Sequence, residues 1–338
     1  MPETKSDTGT NGRDAAILFL HAQTSLHPGS GTALGVVDLP VQRERHTGWP
    51  IIPGSALKGI LRDACREQAK GEYQEACDEE EKHLTPRQRA NKKDPDILAA
   101  FGPAEISDNQ SAFAGAISVT DARILAFPVR SLKGVFAWVT CPAVLERLNR
   151  DLHLAGRKKI DSLPAFGPAK REQAACAAGS PLLVSDGGSD KLVLEEFEFS
   201  RVAEANEVAE WIANRAKTDG LTADFIKQRV VVLQDDDFTH FVRHATEVVA
   251  RIGLDYEKKT VKDGALFYQE FLPPETMFYS VVLAAESRCD KNRIPGAEVL
   301  KYLEGQINQV KFLQVGGDET IGKGLCAVRL INGKEGTR

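Results

Sequence analysis

The chain has 338 residues, of which 42% are hydrophobic and 27% charged, with a net charge of −5. That length can bury a sizeable core, as one large domain or two ordinary ones, and no apolar run is long enough to span a bilayer. The mild acidity excludes a protein that coats nucleic acid indiscriminately but leaves room for a local basic groove. The six cysteines, at 65, 77, 141, 176, 289 and 326, form no Cys-x-x-Cys pair. Their spacing offers neither a zinc site nor a disulfide framework, so they read as buried or half-buried free thiols. Residues 1–14 are polar and lack the apolar segment of a secretory signal, so a flexible tail and a cytoplasmic location are expected.

Residues 15–26 alternate as a strand that runs into a glycine- and proline-rich segment. Ser55 is then the expected N-cap of a helix whose inward stripe is Leu57, Ile60, Leu61 and Ala64. Residues 66–96 are dominated by charged and amide side chains and read as an inserted, mobile or helical excursion rather than core. Strands are expected over 117–127 and 135–140, then a helix from Pro142, at its first turn, to Leu154. Leu192–Phe199 reads as a strand, and Val208, Trp211 and Ile212 mark a helix. A helix is expected over 237–250, a hairpin over 256–278, a helix over 297–307, and closing strands at 312–315 and 325–331 around a glycine loop. Strands and helices mix without βαβ alternation, so the class is α+β with a mostly antiparallel sheet.

Asp38 follows two valines and stands two residues before Pro40. Two roles fit it: a turn-capping carboxylate, or an acid beside an RNA phosphate that holds a metal ion or acts on the 2′-OH nucleophile. Arg43, Arg45, His46, Lys58 and Arg62, with backbone donors near Ser55, suit phosphates, while a solvated charged face is the plain alternative. Arg130 and Lys133 form a second basic cluster.

Three motifs lead nowhere. Gly317–Lys323 imitates a P-loop, but Gly324 replaces the Ser/Thr that holds magnesium, so this is a glycine turn for close approach of RNA or a neighbouring subunit. Ser55/Lys58 and Ser107-Asp108-Asn109 imitate a penicillin-recognising serine enzyme, but Lys217-Thr218-Asp219-Gly220 breaks the third element. His240 and His244 share a helical face, yet Phe241 stands where a zinc protease has glutamate. The run Asp235–Asp237 reads as the acidic start of the following helix.

Several blocks together resemble the RAMP proteins of CRISPR systems. They are His27-Pro28-Gly29-Ser30-Gly31, Val37–Gly48, Pro53–Arg62, Phe127–Val135, Gly264–Glu270 and Leu313–Gly324. More narrowly they resemble the repeated backbone subunit of the type III-B, or Cmr, effector complex. The resemblance implies a modified ferredoxin-like or RRM-like palm, an inserted lid or finger region at about 66–110, and a β-hairpin thumb at about 252–280, within one RAMP domain over 15–338. It implies copies stacked head-to-tail along a guide RNA with other subunits, and metal-dependent cleavage of the paired target RNA at regular intervals through its 2′-OH. Asp38 carries the cleavage role, as acid or ligand of a magnesium or manganese ion, with His27, Tyr268 and Glu270 as secondary candidates. Arg43, Arg45, His46, Ser55, Lys58, Arg62, Arg130, Lys133, Gly316 and Gly317 are the expected RNA contacts. The rival expectation is a scaffold of the same fold that grips guide RNA and leaves cutting to another subunit.

Overall fold

The computed structural model describes residues 13–32, 35–77, 79–104, 112–160, 170–186, 188–215, 223–290 and 292–332. Strand β1 (Asp14–Ala22) sends Ala16, Leu18 and Leu20 into one core cluster and Ile17 and Phe19 into another. The unbroken apolar run of residues 15–20 therefore marks a strand buried on both faces. The chain then runs through β2 (Ile51–Ile52), α1 (Gly54–Ala69), α2 (Pro86–Lys93), α3 (Pro95–Phe101), β3 (Ile117–Val119), β4 (Ala122–Arg130), β5 (Phe136–Thr140) and α4 (Pro142–Leu154). It continues through β6 (Gln173–Cys176), β7 (Val184–Asp186), β8 (Ser189–Leu194), β9 (Phe197–Ala203), α5 (Asn206–Arg215), α6 (Ala223–Lys227), β10 (Val230–Leu233) and α7 (Asp235–His244). The remaining elements are β11 (Glu247–Leu254), β12 (Val261–Phe271), β13 (Met277–Ala284), α8 (Gly296–Val310), β14 (Phe312–Gln314) and β15 (Leu325–Ile331).

Thirteen of these strands form one sheet, ordered β14-β15-β1-β13-β4-β5-β10-β6-β9-β8-β7, with β2 added to β4 and β3 to β13. Its centre, β15-β1-β13-β4, is antiparallel throughout. Among the described strands the parallel pairs are β5 with β10 and β6 with β9, so the mixed α+β class with a mostly antiparallel sheet holds. Strand β4 joins the halves: residues 123–126 pair with β13 and residues 127–130 with β5. Helices α1 and α8 cover one face of the centre through Leu57, Leu61 and Cys65 and through Val299, Leu300 and Leu303. The opposite face is closed by Leu145, Leu148, Trp211, Ile212 and Ile226. Among the described strands, β11 and β12 pair only with each other, as a separate two-stranded hairpin.

Several sequence expectations need correction. Helix α1 begins at Gly54 with Pro53 as its cap residue, so Ser55 lies inside the first turn and is exposed. The Gly54 N–H donates instead to Asp121 Oδ1 at 2.7 Å, and a neighbouring turn replaces the serine cap. Within the charged excursion, residues 66–69 finish α1 and residues 86–93 form α2, where Ala90 is buried; α3, just beyond it, buries Ile97, Ala99, Ala100 and Phe101. The helix expected over 237–250 ends at His244, and Glu247–Leu254 forms a strand in register with β12 from Glu247↔Phe271 onward. Cross-strand pairing thus overrides the helical reading of Val248 and Val249. The hairpin expected at about 252–280 is accordingly formed by residues 247–271, whereas β13 is a buried central strand. The strand expected over 117–127 breaks at Thr120–Asp121 into β3 and β4. Of the six cysteines, Cys77 is exposed and the other five are buried thiols. Asp14 already belongs to β1, opposite Ala284, and residues 1–12 of the expected tail lie outside the described residues. So do Ser107–Asn109 and Lys217–Gly220 of the serine-enzyme imitation.

Candidate active site

The root of the hairpin organises the site. The backbone N–H of Tyr268 donates to Asp38 Oδ2 at 2.7 Å. Leu39 N donates to Tyr268 O, and Glu270 N to Leu39 O, both at 3.0 Å, which adds the Asp38 loop to β12 as a short parallel bridge. The half-buried carboxylate is therefore placed by main chain, with one oxygen anchored and the second making no bond among the described residues.

His27 is 8% exposed, and its Nδ1 lies 2.7 Å from Glu270 O. A carbonyl only accepts, so Nδ1 carries a proton and donates it, which fixes the orientation of the ring. Asp38 and His27 thus hang on one strand at residues 268 and 270, about 7 Å apart by strand rise. The glycine loop closes over His27 from the other side. Gly317 N donates to His27 O at 3.1 Å, and a Cβ on Gly316 (φ +79°) would stand 2.3 Å from that oxygen. Only glycine allows this approach.

Glu270, 6% exposed, is spent inside the protein. Its carboxylate accepts from Val41 N at 2.9 Å, Thr246 Oγ1 at 2.9 Å and the Arg43 guanidinium at 2.5 Å. Arg43 also donates to Gly48 O at 2.9 Å and Val242 O at 2.8 Å. This buried pair pins the Asp38 loop to the hairpin root and to the end of α7.

The expected RNA contacts separate into two groups. Lys58 Nζ donates to Ile117 O at 2.9 Å, and Arg62 donates to Asn91 Oδ1 at 2.7 Å and Gly102 O at 2.9 Å. Both pKa values are lowered, first by burial and then by the next cation along α1. These two side chains hold α1 to its neighbours. Arg45 and His46 are exposed, and Arg45 forms no hydrogen bond or ion pair among the described residues. Arg130 is exposed beside Glu195 at 2.9 Å, and Lys133 donates to Leu183 O at 2.7 Å. On the hairpin, Val248, Ile252, Leu254, Tyr256, Leu266 and the Tyr268 side chain stand exposed.

Sequence reasoning missed a ring of polar groups on the other side of β12. Arg251 donates to Asp318 Oδ1 at 2.9 Å and also to Gln269 Oε1, while Gln269 Nε2 donates to Asp318 Oδ2 at 2.6 Å. The available signal was the period of two along 268–270, which turns Gln269 away from its neighbours. His240 and His244 lie beside Phe197 and Glu196 in a cleft of about 530 Å³, and among the described residues no group of three or more metal-ligating side chains gathers there or elsewhere.

Comparison with known proteins agrees with this architecture. The family model described as the RAMP superfamily matches residues 19–327. The chain is 40% identical, over 94% of its length and 95% of the relative's, to the protein named CRISPR system Cmr endoribonuclease Cmr4 of Pyrococcus furiosus. It is 24% identical, over 93% and 96% respectively, to CRISPR system CMR subunit Cmr4 of Saccharolobus solfataricus. The crystal structure of oligomeric Cmr4 from Pyrococcus furiosus superposes with a TM-score of 0.64 at 34% identity, covering 95% of this chain and 99% of that one. With the family model spanning most of the chain and a 40% identical relative matched nearly end to end, this protein belongs to the RAMP superfamily.

Proposed function

We propose that this chain is the repeated, target-cleaving backbone subunit of a type III-B CRISPR effector complex, an endoribonuclease that cuts guide-paired RNA in the cytoplasm. One observation carries the reading: a half-buried carboxylate, Asp38, is fixed by main chain at the root of an exposed apolar hairpin. The relative named an endoribonuclease and the oligomeric structural neighbour support it, as does the sheet centre. The succession β1-α1-β4-β13-α8-β15 in spatial order β15-β1-β13-β4 fits a ferredoxin-like palm, with β11–β12 as its thumb.

Copies of the chain and other subunits hold the guide, whose base pairing supplies sequence specificity while protein reads backbone and duplex shape. Arg45, His46 and Arg130, at the surface, are the phosphate contacts of this reading, whereas Arg43, Lys58 and Arg62 support the fold. The exposed thumb residues displace a base and bend the target strand. Its 2′-OH then lies in line with the adjacent phosphate, the P–O5′ bond breaks, and the products carry a 2′,3′-cyclic phosphate and a 5′-OH. Asp38 orients the 2′-OH or accepts its proton, and His27, bonded to the same strand, is the secondary candidate. A single carboxylate with one oxygen unbonded among the described residues, where no group of three or more metal-ligating side chains gathers, fits a magnesium or manganese ion carried in by RNA phosphates. When bound, that ion would neutralise charge developing on the phosphate.

A target with one 2′-deoxynucleotide at a scissile position tests this reading in the guide-loaded complex. Loss of that cut alone, with neighbouring cuts intact, is expected. Cutting at the substituted position would refute 2′-OH attack.

A further inference from the structure

Resting on the proposed function, we infer that Asp318 is a positioning residue: with Arg251 and Gln269 it locks the thumb to the body and so sets the direction in which the thumb leaves Asp38. Among the described strands the thumb has no partner in the main sheet, so its direction is fixed at its root. Two clamps meet there on opposite faces of β12. Glu270 faces the Asp38 loop and the end of α7 through Val41, Arg43 and Thr246. Gln269, one residue earlier and 4% exposed, faces the glycine loop, where it and Arg251 of β11 both bond Asp318. One carboxylate therefore ties both thumb strands to the loop that holds His27.

The backbone supplies an independent argument. Asp318 sits at φ +67°, in the left-handed region, directly after Gly316 and Gly317. Glycine would adopt that conformation without strain. A side chain there is a conformational cost, and what it provides is the closed ring: each Asp318 oxygen takes a different partner, and Gln269 uses both its donor and its acceptor. Arg251 and Asp318 are also a charge pair, with side chains only 25% and 21% exposed.

The ring lies on the face of β12 opposite the Glu270 carboxylate, so it touches no reacting atom in this reading. Its loss leaves Tyr268 N bonded to Asp38 but frees the thumb to swing about 268–271. The expected signature is a slower chemical step at unchanged target affinity, with blurred cut positions.

Asp318→Gly is the informative variant, because it removes the carboxylate and relieves the backbone, so folding is retained. Arg251→Gln, alone and combined with it, provides the double-mutant comparison. Two readouts apply to the full chain in the guide-loaded complex: amide hydrogen exchange, and single-turnover cleavage at saturating target with target binding measured in parallel. The expected result is at least tenfold faster exchange across 247–254 and 261–271 with β1 and β13 unchanged, and at least tenfold slower cleavage with binding intact. The double variant should be no worse than the worse single one. Unchanged thumb exchange would overturn the lock, and faster exchange with wild-type cleavage rate and cut positions would overturn its positioning role. Exchange is read without cleavage, so a failure of the endoribonuclease reading, seen as Asp38-independent cutting, is distinguishable from a failure of the lock.

Discussion

Replacing Glu270 by alanine probes the clamp that places Asp38. The substitution removes the acceptor of Val41 N, Thr246 Oγ1 and Arg43, and it leaves a guanidinium only 21% exposed without its counter-ion. Hydrogen bonds to charged groups contribute about 1.5–3 kcal/mol each, and breaking a buried pair costs about 3–5 kcal/mol. Arg43 keeps its bonds to Gly48 O and Val242 O, so the low end, about 3 kcal/mol, applies. With an unfolding entropy near 2.1 cal/mol/K per residue, a chain of this length should lose about 4 °C in Tm. Calorimetry would measure that fall, and amide exchange would locate it at Val41 and its neighbours. Glu270→Gln keeps the shape but turns an amide donor toward Val41 N or Arg43, so it should recover little. A Tm within about 1 °C of wild type, together with unchanged Val41 exchange, would refute the clamp.

Gly316→Ala forces a Cβ to within 2.3 Å of His27 O at a positive φ. It should cost about 1–3 kcal/mol in thermal unfolding and shift the His27 ring resonances. Lys58→Met should leave guide binding unchanged, whereas Arg45→Ala should weaken it and lower its salt slope by about one, as filter binding across salt concentrations would show. Burial lowers the Lys58 pKa, so its ammonium costs stability in full below the folded pKa and is relieved as pH rises toward 10.5. Wild type should therefore gain stability relative to Lys58→Met over that window in pH-dependent unfolding. A thiol reagent should label Cys77 in the native chain and reach Cys65, whose pKa burial pushes up to about 12, only on unfolding.

Elements whose signal is local were legible in the sequence. Pro142 at a first turn and the stripe of Leu57, Ile60, Leu61 and Ala64 placed α4 and α1, and the strand read over 15–26 placed β1, which ends at Ala22. What pairing decides at a distance was not. Glu247–Leu254 is a strand because β12 lies beside it, and Gly54 needs no serine cap because Asp121 arrives from another turn. The same divide runs through the site. The Val37–Pro40 block singled out Asp38, whereas the glycine loop, expected to admit RNA or a neighbouring subunit, makes its close approach at Gly316 to His27 of the same chain. Whether a cation is available or spent depends on partners far along the chain. Arg43 finds Glu270 and Lys58 finds Ile117, while neighbouring Arg45 has no such partner among the described residues. Asp318 and Arg251 lie 67 positions apart, and no short motif joins them.

The central claim, that Asp38 performs the cutting, is tested most directly by single-turnover cleavage in the reconstituted guide-loaded complex. Native chain and Asp38→Ala would be compared on one target, with target affinity measured alongside. The account predicts loss of every regularly spaced cut with affinity retained. An unchanged cleavage ladder from the Asp38→Ala complex would contradict it and leave this chain as the scaffold that holds the guide.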